Sequence, residues 1–278
     1  MLMESNKLKG GVRMKTRNGI CFGVLLFAAV LGFPGDKVQE GETTISIVID
    51  DTRFNQELMR GMGFGCVINT PEANILFDTG YESSAGRVLM SNMEEMDIDP
   101  MDIDMVVISH CHLTGGLEAF LDRNPNVTVY GPTSLGYKLI VESYGAKYEE
   151  LSEFTKLSKN IYSTGGINSE IDRIMEQSLV VDTEAGLVVA CGCAHPGIIN
   201  VLEKIKKELP NREFCLVLGG FHLETVFREE RERVLAEFIR LGVKKVSPCH
   251  CSGQFREIAK REYKENYIEG GSGQIIRL

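Results

Sequence analysis

From Thr44 onward, short β-branched apolar runs alternate with amphipathic stretches, and the two periods assign the elements. Runs at Thr44–Asp50, Cys66–Thr70, Asn74–Asp78, Met105–Ser109, Val127–Tyr130, Leu179–Asp182, Leu187–Cys191, Cys215–Gly219 and Lys245–Ser247 predict strands. Apolar positions recurring every three or four residues predict helices over Ser84–Met96, Gly116–Leu121, Gly197–Leu209, Glu224–Leu241 and Gln254–Tyr263. The joins at Pro71–Ala73 and Thr183–Gly186 read as hairpin turns, so part of the sheet is antiparallel. Hairpins come early and strand–loop–helix units later. This order predicts an α/β protein with mixed sheets covered by helices, not a purely parallel doubly wound one. In strand–loop–helix units, sites collect where strands end.

Ahead of this pattern, Lys15 and Arg17 precede an apolar run from Ile20 to Phe33, closed by Pro34. Fourteen residues are too few to span a bilayer, which needs roughly 20. They suit the apolar region of a signal peptide within residues 14–35. The expectation is therefore an N-terminal leader over residues 1–40, a domain over residues 41–278, and an exported or membrane-tethered protein. Membrane contact would come only through that segment if it is uncleaved; the competing reading is an extension on a cytoplasmic protein.

Composition narrows the class. The chain is 43% hydrophobic and 25% charged, which excludes disorder, collagen-like repeats and coiled coil. Its net charge of −9 provides no global positive field for phosphate backbones, so a nucleic-acid partner is not expected. The 29 glycines favour tight turns and loop-borne sites. A small anionic substrate is the expected partner, and the sequence is silent on oligomeric state.

Chemistry concentrates in five histidines: His110, His112, His195, His222 and His250. Each lies just past a predicted strand, and converging imidazoles at strand ends read as a metal site. His110 and His112, two residues apart, can meet one ion if the chain turns sharply, and Gly115 with Gly116 supplies the turn. Three protein ligands leave an open position for water, so zinc, or a comparable ion such as manganese or iron, is the expected cofactor.

The eight cysteines are too many and too clustered for chance, in a chain too long to be a disulfide scaffold. Cys191 and Cys193 form one C-x-C, Cys249 and Cys251 another, and Cys111 separates His110 from His112. Cys193, Cys249 and Cys251 are candidate soft ligands, against a plainer reading as ordinary loop thiols. For Cys21, Cys66 and Cys215, small buried apolar side chains are an equally good account.

Several of these motifs resemble those of the metallo-β-lactamase superfamily. Asn74-Ile75-Leu76-Phe77-Asp78-Thr79-Gly80, Ser109-His110-Cys111-His112 and Ala194-His195-Pro196-Gly197 carry the likeness. Gly219-Gly220-Phe221-His222-Leu223, Pro248-Cys249-His250-Cys251-Ser252-Gly253 and the ending over 270–278 are similar to the dihydropterin–ribofuranosylaminobenzene phosphate synthases of methanopterin biosynthesis. The resemblance implies a four-layer αββα sandwich with metals at one edge of two mixed sheets. It implies that His110, His112 and His195 hold the first metal, that His250 belongs to a second, and that Asp78 orients the metal loop.

The chain also departs from that family. Where the motif runs S-H-x-H-x-D-H-x-G-G, this sequence reads Ser109-His110-Cys111-His112-Leu113-Thr114-Gly115-Gly116, two residues shorter and without the Asp-His pair of the second metal. Without that pair, the comparison with the family implies one ion per chain; anchored from the strand, His110 and His112 keep the first-metal positions. Anchored from Thr114-Gly115-Gly116, they shift onto the second histidine and the aspartate; strand register favours the first alignment. The expected function is a metal-dependent hydrolase acting on a phosphoester or ester through metal-activated water, with His222 as general acid or anion contact. A synthase-type transferase and a non-catalytic metal- or thiol-binding protein are the alternatives.

Overall fold

The computed structural model describes residues 42–81, 84–133 and 135–278. The expected leader and Cys21 lie outside the described residues. Strands follow in the order β1 (Thr44–Ile49), β2 (Gly65–Asn69), β3 (Asn74–Phe77), β4 (Met105–Val107), β5 (Thr128–Pro132), β6 (Lys147–Leu151), β7 (Thr155–Ser158), β8 (Ile161–Ser163), β9 (Ile167–Asn168), β10 (Met175–Glu176), β11 (Leu179–Thr183), β12 (Gly186–Cys191), β13 (Phe214–Gly220), β14 (Lys245–Cys249) and β15 (Ile275–Arg277). The α-helices are α1 (Ala85–Glu95), α2 (Leu117–Leu121), α3 (Lys138–Ser143), α4 (Ile198–Glu208), α5 (Arg228–Arg240) and α6 (Phe255–Tyr263).

Two mixed sheets form the middle of the molecule, ordered β15-β1-β2-β3-β4-β5-β6 and β14-β13-β12-β11-β8-β7, beside a short β9–β10 ribbon. Each sheet is antiparallel at its hairpins and parallel where helices intervene: β3 to β6 run parallel, as do β12 to β14. Both predicted hairpins are present, pairing β2 with β3 and β11 with β12.

Alternation along the strands explains the layering. Cys66, Ile68, Ile75, Phe77 and Val107 of the first sheet meet Leu179, Val181, Val188, Ala190, Leu216 and Leu218 of the second in one buried core. The residues between them point outward. Val67, Leu76, Val106 and Val129 pack under α1 and α2, while Val180, Leu187, Val189 and Val217 pack under α4, α5 and α6. Three cores between four layers make the αββα sandwich that the resemblance implied. Each fully buried Ile or Leu contributes roughly 1.5–3 kcal/mol, so the sandwich is a rigid support for its loops.

Two parts of the pattern reading are corrected. The helix expected from Glu224 begins at Arg228, because the N–H groups of Leu223 and Glu224 donate to the Cys251 carbonyl, at 3.0 Å each, and hold that segment as a loop. The strands β6, β7, β8, β9, β10 and β15 and helix α3 carry no clear predicted signal. Of these, β6 alternates irregularly, with exposed Lys147, Glu149 and Glu150, as an edge strand does. Among the described residues, no helix is long and apolar enough to cross a membrane.

Candidate metal centre

Along the parallel direction of both sheets, β3, β4, β12, β13 and β14 end at one edge, and the loops leaving them carry Asp78, His110 with His112, His195, His222 and His250. Backbone strain concentrates there. Asp78, Ala194, His222 and His250 have φ of 58°, 56°, 53° and 43°. Such left-handed conformations cost non-glycine residues roughly 1–3 kcal/mol each and persist where the surroundings over-determine them.

The rings of His110, His112 and His195 face one another, with centroids 5.1 Å apart for His110–His112, 4.6 Å for His110–His195 and 5.5 Å for His112–His195. The strand-anchored alignment expects these three histidines together; ring nitrogens of His110 and His195 group within 4.8 Å with Cys193 Sγ, and the His112 ring stands beside them. The shortened loop after His112 is tight: Thr79 N–H donates to Leu113 O at 2.9 Å, and Gly115 and Gly116 N–H to Gly80 O and Thr79 O.

Each ring is fixed through one nitrogen, except that of His112. His110 Nδ1 meets Ser109 Oγ at 2.8 Å, His195 Nδ1 meets Glu176 Oε2 at 2.8 Å, and His250 Nδ1 meets Asp51 Oδ2 at 2.9 Å. Asp78 supports this from beneath, its Oδ1 accepting the Ser109 N–H at 2.7 Å. Asp78 thus ties the end of β3 to the start of the His110 loop. His112 stands against Tyr81, ring centroids 5.6 Å apart.

Glu176, Asp50 and Asp51 carry no sequence motif, and sequence reasoning missed all three. Glu176 is buried and accepts the N–H groups of Cys193, Ala194 and His195 at 2.8 Å each, besides the His195 ring. Burial works against an ionised Glu176, but His110, the His195 hydrogen bond and the N–H donors outweigh it and bring the carboxyl down to about 2. Since burial also pushes His110 down to about 3 and keeps it neutral, the N–H donors carry this stabilisation. Asp50 accepts the His250 N–H at 2.8 Å and is held in turn by Ser272 Oγ, which accepts the Asp50 N–H at 3.0 Å. The glycine-rich ending thereby buttresses the His250 loop.

The site suits a cation. His110 Nε2 is completely buried and has no hydrogen-bond partner, and Asp78 Oδ2 is in the same state. An orphaned imidazole nitrogen facing two other imidazoles is costly unless something accepts its lone pair. Burial lowers the His110 and His112 imidazoles toward their neutral forms, while Glu176 and Asp51 are held toward their ionised forms, which gives the electron-rich setting that a divalent ion requires.

The remaining predicted residues divide. His222 sits at the rim, its ring 4.6 Å from that of His195 and its Nε2 3.8 Å from Asp172 Oδ2. A hydrogen bond with Cys251 raises the His222 imidazole above its usual range, against the effect of burial. Sγ of Cys193 lies within 4.8 Å of ring nitrogens of His110 and His195, and Cys193, Cys251 and His250 form a second such group. Cys249 is not brought to the site. Its thiol is buried in the inter-sheet core and donates to Ser247 O at 3.4 Å, which removes it from the candidate ligands. Cys111 is exposed.

A four-layer sandwich with histidines gathered at one sheet edge defines the class: the fold is that of the metallo-β-lactamase superfamily, whose family model matches residues 60–172 of the chain. The chain is 26% identical over 256 residues to the 7,8-dihydropterin-6-methyl-4-(β-D-ribofuranosyl)-aminobenzene-5′-phosphate synthase of Methanocaldococcus jannaschii, covering 76% of this chain and 86% of that one. Among solved structures it is similar to Tm1679, a metal-dependent hydrolase of the β-lactamase superfamily. That likeness has a TM-score of 0.71 and 28% identity, over 85% of this chain and 99% of the other. The metallo-β-lactamase-fold protein YhfI of Bacillus subtilis shares the fold alone, at TM-score 0.59 and 11% identity over 84% and 99% of the chains.

Proposed function

We propose that this protein is a metal-dependent hydrolase of a small phosphoester or ester, working with one catalytic ion on His110, His112 and His195. The observation that carries the reading is the buried, unpartnered Nε2 of His110 set against two imidazoles. A divalent ion bound there supplies Lewis acidity and activates water near neutral pH. The chain's own part is positional. The Glu176 carboxylate accepts from His195 Nδ1 and so sets its tautomer, while Ser109 Oγ holds the His110 ring at Nδ1; in both rings Nε2 is left for the ion.

His222 is half-exposed beside His195 and is raised toward its protonated form. It is placed to contact an anionic oxygen or to give a proton to a leaving group at the rim. Asp172 steadies it from the solvent side. Neither Asp172 nor Glu176 is free to contact the substrate phosphate directly, since like charge would repel it.

A second reading, a synthase-type transfer to a ribose phosphate, is favoured by the likeness to the Methanocaldococcus jannaschii synthase. Both reactions ask the same residues to bind and polarise an anionic oxygen, and the fold serves either. Zinc, manganese and iron each supply the required acidity. The discriminating test is a screen of phosphomonoesters, phosphodiesters and carboxylic esters with each metal added to chelator-stripped protein. Metal-dependent turnover that vanishes in His195→Ala supports hydrolysis; no turnover of any ester under any metal removes it.

A further inference from the structure

Cys193, from one C-x-C pair, comes close to the histidine cluster, and Cys251, from the other pair, comes close to Cys193. Cys193 Sγ, Cys251 Sγ and a ring nitrogen of His250 lie within 4.8 Å of one another, and the same Cys193 Sγ lies that close to ring nitrogens of His110 and His195. We propose that Cys193, Cys251 and His250 form a second, soft metal site that takes a thiophilic divalent ion such as zinc, cobalt or cadmium, with Cys193 at the junction between it and the three-histidine site.

Three features of the chain build this site. His250 is anchored on both sides, by Asp51 at Nδ1 and by Asp50 at its N–H, which leaves Nε2 as the free donor. Cys251 Sγ accepts the His222 N–H at 3.3 Å, a contact that favours a thiolate. Finally, Gly220 makes room: a Cβ there would stand 2.9 Å from Cys251 Sγ and would collide with the Gly192 carbonyl. The two motifs C-G-C and G-G-F-H thus have a common purpose, which is to let two sulfurs and an imidazole approach across adjacent strand ends.

The chemistry follows from the donors. Two sulfurs and one imidazole favour zinc, cobalt and cadmium, and disfavour magnesium and manganese, which prefer oxygen. The set also offers an answer to the missing Asp-His pair, since two thiolates supply the negative charge that the lost carboxylate would have brought. The position of Cys193 as a junction rests on the three-histidine reading; the thiol site itself does not.

The test uses full-length protein, reduced, stripped with chelator and loaded anaerobically with cobalt. Parent protein should bind about two cobalt ions per chain and show thiolate-to-cobalt charge-transfer absorption in the near ultraviolet. Cys193→Ser and Cys251→Ser should each abolish that band and lower the ratio to about one, while Cys215→Ser keeps both. The band should survive in His195→Ala, and excess manganese should not displace it. Cobalt bound by the parent with visible d–d absorption but no charge-transfer band would overturn the thiol site and leave the three-histidine reading standing. A charge-transfer band that is indifferent to both cysteine substitutions would overturn it as well. Charge transfer with a ratio of about one, unchanged in His195→Ala, would instead keep the thiol site and sink the three-histidine one.

Discussion

At the scale of single residues, Glu176 holds more of the site than any histidine. It satisfies three consecutive backbone N–H groups and orients His195 from a position sealed from water. Glu176→Gln keeps the volume but turns an NH2 group toward N–H donors. Buried donors left without acceptors cost about 1–3 kcal/mol, and loss of an orienting partner typically weakens metal affinity about 10–100-fold. Urea unfolding and zinc competition should show both losses together; a variant of unchanged zinc affinity would mean that His195 needs no orientation from this carboxylate. The histidines were legible in the sequence because each follows a strand that its alternation marks. Glu176 was not, since it stands in the unremarkable run Ile174-Met175-Glu176-Gln177 and acquires its role only when the β9–β10 ribbon folds over β4.

That ribbon belongs to the scale of elements. Gln177 fastens it, donating from its side chain to Ile108 O at 2.8 Å and Tyr130 O at 3.1 Å, so Glu176 is delivered to the end of β4 by contacts with β4 and β5. The turn from β12 to α4 is packed as closely. A Cβ on Gly192 would stand 2.7 Å from Asp78 Oδ2 and would collide with Ser109 Oγ, the atom that fixes His110. Gly192→Ala should therefore destabilise the fold by about 1–3 kcal/mol and also lower metal content. A stable Gly192→Ala variant with full metal content would show that the Ser109–His110 contact is dispensable. Long, regular strands such as β1, β12 and β13 were legible from alternation. Short or edge strands such as β6 and β7 were not, because their pairing depends on neighbours distant in the chain; β15 closes the first sheet against β1 from the opposite end of the sequence.

At the scale of the molecule, the two sheets meet at one edge, and the residues of the proposed three-histidine site come from both: His110 and His112 follow a strand of the first, His195 a strand of the second. An ion there joins the sheets as well as serving chemistry. Ligand that binds only the folded state at a thousand times its dissociation constant adds about 4 kcal/mol, and a domain of this size gains roughly 2–4 °C in Tm for each kcal/mol. Calorimetry with and without chelator should show a shift of at least that order, which His110→Ala reduces by the part that the three-histidine ion contributes. An unchanged melting temperature would mean that the histidine cluster binds no metal tightly.

The most direct test of the central claim is anomalous scattering from crystals of zinc-loaded protein, recorded on both sides of the zinc edge. The account predicts a peak about 2.0–2.1 Å from one ring nitrogen of each of His110, His112 and His195, with His195 and His110 bound through the nitrogen that Glu176 and Ser109 leave free. A fully loaded crystal with no peak among those three rings, or with zinc only at the cysteines, would contradict it.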